Sequence, residues 1–315
     1  MENQTVAPDV LLLEGLKVSP QSHAATFVIL LLIYIFIMMS NICLVFLISM
    51  ERSLHQPMYL LFCNMSINDM FGSTVLIPRL LSDLLLPEAE RFIHFIDCAI
   101  QAFCLHLNAA TSHTVLIIMA FDRYVAICNP LRYVIIMTNR MVAKLSASAW
   151  VVSLVLVLIL ISLSVRLSRC RATISHPFCD NASLFKLSCE SVLINNVYGL
   201  TFTTVLLGSS IGSVTLTYVK IAAVCVISKN KSLNSKALQT CVTHLVVYVI
   251  MFFSGILIIL LHRFPYLSYE RKLASILFHV VPPAMNVIIY GLQIKAVRQK
   301  LLILCLRKTA VSNVE

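Results

Sequence analysis

Seven long apolar runs, separated by short polar connections, dominate the chain. They cover residues 24–50, 56–78, 98–121, 145–165, 191–219, 237–262 and 273–294. Asp69, in the second run, is the only Asp, Glu, Lys or Arg in any of them. Each reaches the roughly 20 residues that an α-helix needs to cross ~30 Å of hydrocarbon. Lipid offers the backbone no hydrogen-bond partners, so each run must satisfy its own amides as a helix. The pattern predicts an all-α membrane protein, a seven-transmembrane helix bundle. After the seventh span, 293–306 mixes Val297, Leu301, Leu302 and Leu304 with Lys295, Arg298 and Lys300. That mixture suits a short amphipathic helix lying on a leaflet. The expected division is an outer N-terminus at 1–23, a membrane domain at 24–292, and an amphipathic helix and tail at 293–315.

Composition agrees, with 59% hydrophobic and 12% charged residues against about 25% charged in soluble domains. The net charge of +10 is scattered among spans, so it reads as a topology signal rather than a nucleic-acid footprint. The 24 Lys and Arg divide 14 to 10 between alternate connections. This bias places the N-terminus outside and the C-terminus in the cytoplasm. The first 23 residues have no apolar core and do not look like a cleaved signal peptide. Asn3-Gln4-Thr5 and Asn181-Ala182-Ser183 are glycosylation acceptor patterns on the expected outside. Of 11 cysteines, Cys98, Cys170, Cys179 and Cys189 fall at the outer surface, where disulfides persist. Three of them lie in the long connection 166–190, and Cys98 at the top of the third span is a natural anchor. Four cysteines permit three pairings.

The most specific motif closes the third span: Met119-Ala120-Phe121-Asp122-Arg123-Tyr124-Val125-Ala126-Ile127-Cys128-Asn129-Pro130-Leu131. An acid–base pair at the end of an apolar helix is costly and rarely idle. Asp122 can hold Arg123 in a closed pairing that is released when helices move. This run closely resembles the odorant receptors, a branch of the rhodopsin-like G-protein-coupled receptors. The resemblance extends over nearly the whole chain. Leu54-His55-Gln56-Pro57-Met58-Tyr59 opens the second span. Lys236-Ala237-Leu238-Gln239-Thr240-Cys241-Val242-Thr243-His244-Leu245 opens the sixth, and Pro282-Pro283-Ala284-Met285-Asn286-Val287-Ile288-Ile289-Tyr290 closes the seventh. The loop 176–183 looks like fish-type members, and His262-Arg263-Phe264 looks like the class for water-soluble odorants.

The resemblance implies a receptor without catalytic residues, cofactor or metal. Its partners would be a small-molecule odorant, a heterotrimeric G protein of the stimulatory, olfactory type, and membrane lipid. Asp122, Arg123 and Tyr124 would form the coupling switch together with a polar network of Asp69, Asn41, Asn286 and Tyr290. The expected disulfides are Cys98–Cys179 and Cys170–Cys189. Three departures stand out: Ser40 before Asn41 where Gly is usual, Val287 where Pro is usual, and Ser112 where many members carry Glu.

Helix geometry locates a ligand region. The 17 residues from Arg123 back to His106 span roughly 25 Å, which puts His106 towards the outer side. Leu105, His106, Ala109, Ala110 and His113 lie on neighbouring stripes of the third helix, the alanines leaving room for a ligand. Phe252, Ile256, Ile259 and Arg263 share one face of the sixth. An apolar stripe ending in a cation suits a small organic acid or a similarly polar, water-soluble odorant. An Arg at a helix end also serves as a headgroup anchor. Alternatives are a receptor for a non-olfactory small ligand and a transporter, although matched Gly/Pro-broken halves are absent. A membrane enzyme would have to use Cys241 and His244, since no His-Glu-x-x-His run is present.

Overall fold

The computed structural model describes residues 9–16, 18–227, 231–261, 264 and 266–293. Its long helices are α1 (His23–Met50), α2 (Pro57–Leu85), α3 (Phe95–Cys128), α5 (Asn139–Val165), α7 (Leu193–Ile227), α8 (Lys231–Leu261) and α9 (Ser268–Gln293). All seven are long and apolar enough to cross a membrane, and the chain is a multi-pass membrane protein. Two short helices, α4 (Pro130–Ile136) and α6 (Asn181–Phe185), sit in connections. Prolines at the first turns of α2 and α4 occupy positions whose N–H would be unpaired anyway. Thr138 caps α5 through Met141 N at 3.2 Å, and Asp180 caps α6 through Ser183 N at 2.7 Å. The amphipathic segment expected at 293–306 lies outside the described residues apart from Gln293, which ends α9.

Several helices outrun their apolar stretches. α3 has 34 residues and α7 has 35, or about 50 Å each, well beyond the hydrocarbon thickness. Their polar ends therefore stand clear of the bilayer core, which is why hydropathy alone set them short. α3 is the most enclosed of the seven spans and packs mainly against α2, α5 and α7. By contrast α1, α5 and α7 turn Leu32, Phe46, Leu158 and Val205 outward, towards lipid. The Gly208-x-x-x-Gly212 spacing is one that allows close helix approach. Both are exposed on α7, and a Cβ at either would meet nothing within 4 Å. Pro282 and Pro283 lie within α9 and each removes one helix hydrogen bond, although Val287 replaces the family's usual proline.

At the end of the bundle that carries Cys98, three short strands form a sheet that the hydropathy pattern did not predict. β1 (Val10–Leu13) pairs antiparallel with β2 (Phe92–His94) and parallel with β3 (Thr173–Ile174). Gly15 follows β1 with φ +68°, and a Cβ there would lie 2.6 Å from Arg91 Nη1. Only glycine accepts both that conformation and that contact. Buried Arg91 donates to the Glu14 and Leu86 carbonyls at 3.1 and 3.2 Å, while Lys272 on α9 holds the Glu14 carboxylate at 2.8 Å. Cys98 is bonded to Cys179, fastening the loop between α5 and α7 to α3, and Cys170 is bonded to Cys189 within that loop.

Polar side chains lace α2 to α3 inside the bundle. Asn68 Nδ2 donates to Asn108 O at 3.0 Å and to Ser112 Oγ at 2.8 Å, and Asn108 Nδ2 returns a bond to Asn68 O at 2.8 Å. Ser112, where the family often has Glu, thus completes a neutral cluster. Gly72 makes room for it: a Cβ there would sit 2.4 Å from Asn108 Cγ, in a side chain pinned by its own hydrogen bond. Gly72→Ala should therefore lower the thermal stability of the purified protein by about 2 kcal/mol. Gly255→Ala, whose nearest neighbour would be 3.7 Å away, should be near neutral in the same melt.

Candidate functional site

Between the disulfide-fastened loop and the middle of the bundle lies a cavity of about 470 Å³. α3 contributes Leu105, His106, Ala109 and His113 to its wall, and α7 contributes residues from Asn195 to Leu207. α8 adds Gly255, Ile258 and Ile259, α9 adds Ser275, Phe278 and His279, and the loop adds Phe178 to Phe185 together with Lys186. The volume fits a small organic molecule, most of whose surface would be enclosed. Of the residues expected from helix stripes, Leu105, His106, Ala109, His113 and Ile259 line the cavity. Ala110 lies in the core with Val157 and Ile161. Ile256 is absent from the wall, and Phe252 stacks on Tyr248 with ring centroids 5.7 Å apart. Arg263 lies outside the described residues.

The residues that sequence reasoning missed come from the loop and α7. Asn181 Oδ1 accepts from Ser164 Oγ at 2.7 Å, and Ser164 Oγ accepts from Asn195 Nδ2 at 3.1 Å. Asn181, expected as a glycan acceptor, is thus buried in the wall with its side chain bonded to Ser164. Asn3 lies outside the described residues. The backbone N–H of Asn181 donates to His106 Nε2 at 3.2 Å, so the proton of the neutral imidazole sits on Nδ1. His279 Nδ1 donates to Ser275 O at 2.9 Å, which leaves its Nε2 an acceptor. Burial pushes the Asp180 carboxyl up, but His176 and the Ser183 hydrogen bonds outweigh it and hold the group at about 2, hence ionised.

From the cavity floor a hydrogen-bonded chain crosses three helices. His113 Nδ1 lies 3.3 Å from Ser210 Oγ on α7, which lies 2.8 Å from Tyr248 OH on α8. Further along, Tyr218 OH on α7 meets His244 Nδ1 on α8 at 2.5 Å, so His244 is already engaged rather than paired with Cys241 as a reactive couple. Asp69 accepts from Asn286 Nδ2 at 2.8 Å. The expected third member, Asn41, instead donates to Ile37 O of its own helix at 2.9 Å. Tyr290's side chain lies outside the described residues.

At the opposite end of α3 the Asp122 carboxylate is 1% exposed and is clasped from two sides. Arg123 donates through both Nε, at 3.0 Å, and Nη2, and Tyr133 on α4 donates its hydroxyl at 2.9 Å. Burial first, then Asp122, pushes the Tyr133 phenol up, keeping that proton in place. Lys220 Nζ lies 5.5 Å over the Tyr124 ring. The closed pair and the cavity are thus two ends of one helix. A family model described as "Olfactory receptor" matches residues 30–308.

The chain belongs to the olfactory receptor family. The receptor is 31% identical to human "Olfactory receptor 52D1" over 96% of each chain. It is 33% identical to chicken "Olfactory receptor-like protein COR4" over 98% of this chain and 96% of that one. Human "Olfactory receptor 51E2" is 34% identical over 87% of this chain and 86% of its own. Membership makes it a G-protein-coupled receptor and not an enzyme. Among the described residues no group of three His, Cys, Asp or Glu is placed to hold a metal ion.

The receptor's closed pair predicts a graded release. Tyr133→Phe removes one hydrogen bond to a buried carboxylate, a loss of about 1.5 kcal/mol, or roughly tenfold in the balance between closed and open forms. Ligand-independent cyclic AMP should rise severalfold at matched surface expression. Unchanged basal signalling would show that the Tyr133 bond does not hold the pair closed.

Proposed function

We propose that the cavity beneath the Cys98–Cys179 disulfide is the odorant site and that its occupation opens the Asp122–Arg123 pair. The observation carrying this reading is the joint use of α3: one end walls the cavity and the other holds the closed pair. An odorant that binds the open arrangement better than the closed one moves the balance by that difference in affinity. The chain His113–Ser210–Tyr248 and the Tyr218–His244 contact give α8 two polar attachments that shift with it. Motion of α8 would free Arg123 and expose the inner face to a stimulatory G protein of the olfactory type.

The N-terminus and the disulfide end face outward in this reading. Disulfides persist outside the cytoplasm, and the larger share of Lys and Arg then lies inside. The resemblances of 176–183 and 262–264 support placement with fish-type members for water-soluble odorants, and the few polar groups set in the mainly apolar cavity wall suit such ligands. Small neutral ligands of non-olfactory origin would use the same geometry. The acceptor pattern at Asn3-Gln4-Thr5 accords with this orientation.

Arg123 is the residue through which the reading stands or falls. Arg123→Ala should reach the surface at near-normal levels and lose at least about tenfold in odorant-driven cyclic AMP. A well-expressed variant that signals fully would overturn the assigned coupling route.

A further inference from the structure

The cavity's polar groups are not neutral as to ligand chemistry. Asp180 lines it as an ionised carboxylate, with one oxygen committed to Ser183 N. Among the described residues no Lys or Arg forms an ion pair with it, and its electrostatic partners are the imidazoles of His176 and His106. Lys186, which lines the same cavity, is exposed and unbonded to Asp180. Asn195 is 1% exposed, and its Oδ1 has no hydrogen-bond partner among the described residues. The direction of the chain Asn195 Nδ2 → Ser164 Oγ → Asn181 Oδ1 explains why. One hydroxyl has one proton, so one amide must end as a free acceptor. Reversing both amides would only transfer that free carbonyl to Asn181, on the same wall. His279 Nε2 adds a further acceptor. An unmet buried acceptor costs about 1–3 kcal/mol, and a ligand that supplies a donor recovers it.

We propose that the odorant bears a protonated amine, seated between the Asp180 carboxylate and the free amide carbonyl of the Asn181–Ser164–Asn195 chain. This rests on the cavity being the odorant site. An ammonium has three donors and no acceptor, matching the acceptors offered on this side of the cavity by Asp180, the amide chain and His279. Phe178, Phe185, Phe202 and Phe278 line the remaining space, and aromatic faces also attract a desolvated cation. A lone carboxylate is the poorest fit, since it would set acceptor against acceptor and anion against Asp180. The acidic ligand expected from Arg263 rests on a residue outside the described ones, and the test below sets acid against amine. An acidic group elsewhere on the same molecule remains compatible with Lys186.

The test uses primary amines, alcohols and carboxylic acids of matched carbon skeleton, on the full-length receptor and on Asp180→Asn. Asparagine preserves the cap on α6 and removes only the charge. Ligand-induced thermal stabilisation of the receptor in lipid nanodiscs is measured beside cyclic AMP in cells. Amines should stabilise the wild type at lower concentration than their alcohols and acids, and Asp180→Asn should weaken the amines about 30-fold or more with much less effect on alcohols. Wild-type stabilisation by no amine, or best by the acids, overturns the proposal even if Asp180→Asn does not fold. Equal losses for amine and alcohol in the variant also overturn it. Stabilisation by amines without cyclic AMP would instead contradict the signalling reading and leave the ligand class standing.

Discussion

A polar atom inside a hydrocarbon-embedded bundle has no water to fall back on, so it must find a partner on another helix or remain unmet. That constraint organises this receptor. Asn68, Asn108 and Ser112 tie α2 to α3. His113, Ser210 and Tyr248 tie α3 to α7 and α8. Asp69 and Asn286 tie α2 to α9. Apolar packing against lipid-like neighbours is nearly indifferent to register, whereas each of these bonds holds only at one. They therefore set how the helices sit, and their rearrangement gives the bundle a discrete alternative to switch to.

The same constraint explains where the cavity is. α3 presents alanine and histidine at mid-height, where larger residues would close the space, and the disulfide from Cys98 holds a loop across the top. The loop brings its own polar groups, Asp180 and Asn181, into a wall otherwise built from helices. Some of those groups are matched within the protein and some are not. The unmet one, the Asn195 carbonyl, lies beside the ionised Asp180, and on that pair the proposed preference for an amine rests. The matched ones run from His113 through Ser210 to Tyr248 and link α3, α7 and α8.

Much of the fold was legible in the sequence because hydropathy reports lipid exposure directly. Seven spans, the third-helix motif and the outer cysteines follow from it or from the family's motifs. The sheet of β1, β2 and β3 was not, because strands of two to four residues paired across 160 positions leave no periodic trace. Helix spacing found Leu105, His106, Ala109, His113 and Ile259 but also proposed Ala110, which is turned about 100° from its neighbour and faces α5. Phe252 shares a face with Ile259 yet lies two turns lower, on the Tyr248 ring. Asn181 carried an acceptor pattern for a glycan, and three letters say nothing about burial. Asn195 could not be singled out, since its importance lies in a bond it lacks.

Filling the cavity is the most direct test of the claim that it governs the switch. Ala109→Trp places an indole where α3 now leaves space, distant from the Asp122–Arg123 pair. Concentration–response curves for every odorant that activates the wild type would be recorded at matched surface expression. Loss of at least about tenfold in sensitivity for all of them is the predicted result, and curves superimposable on the wild type would contradict the account.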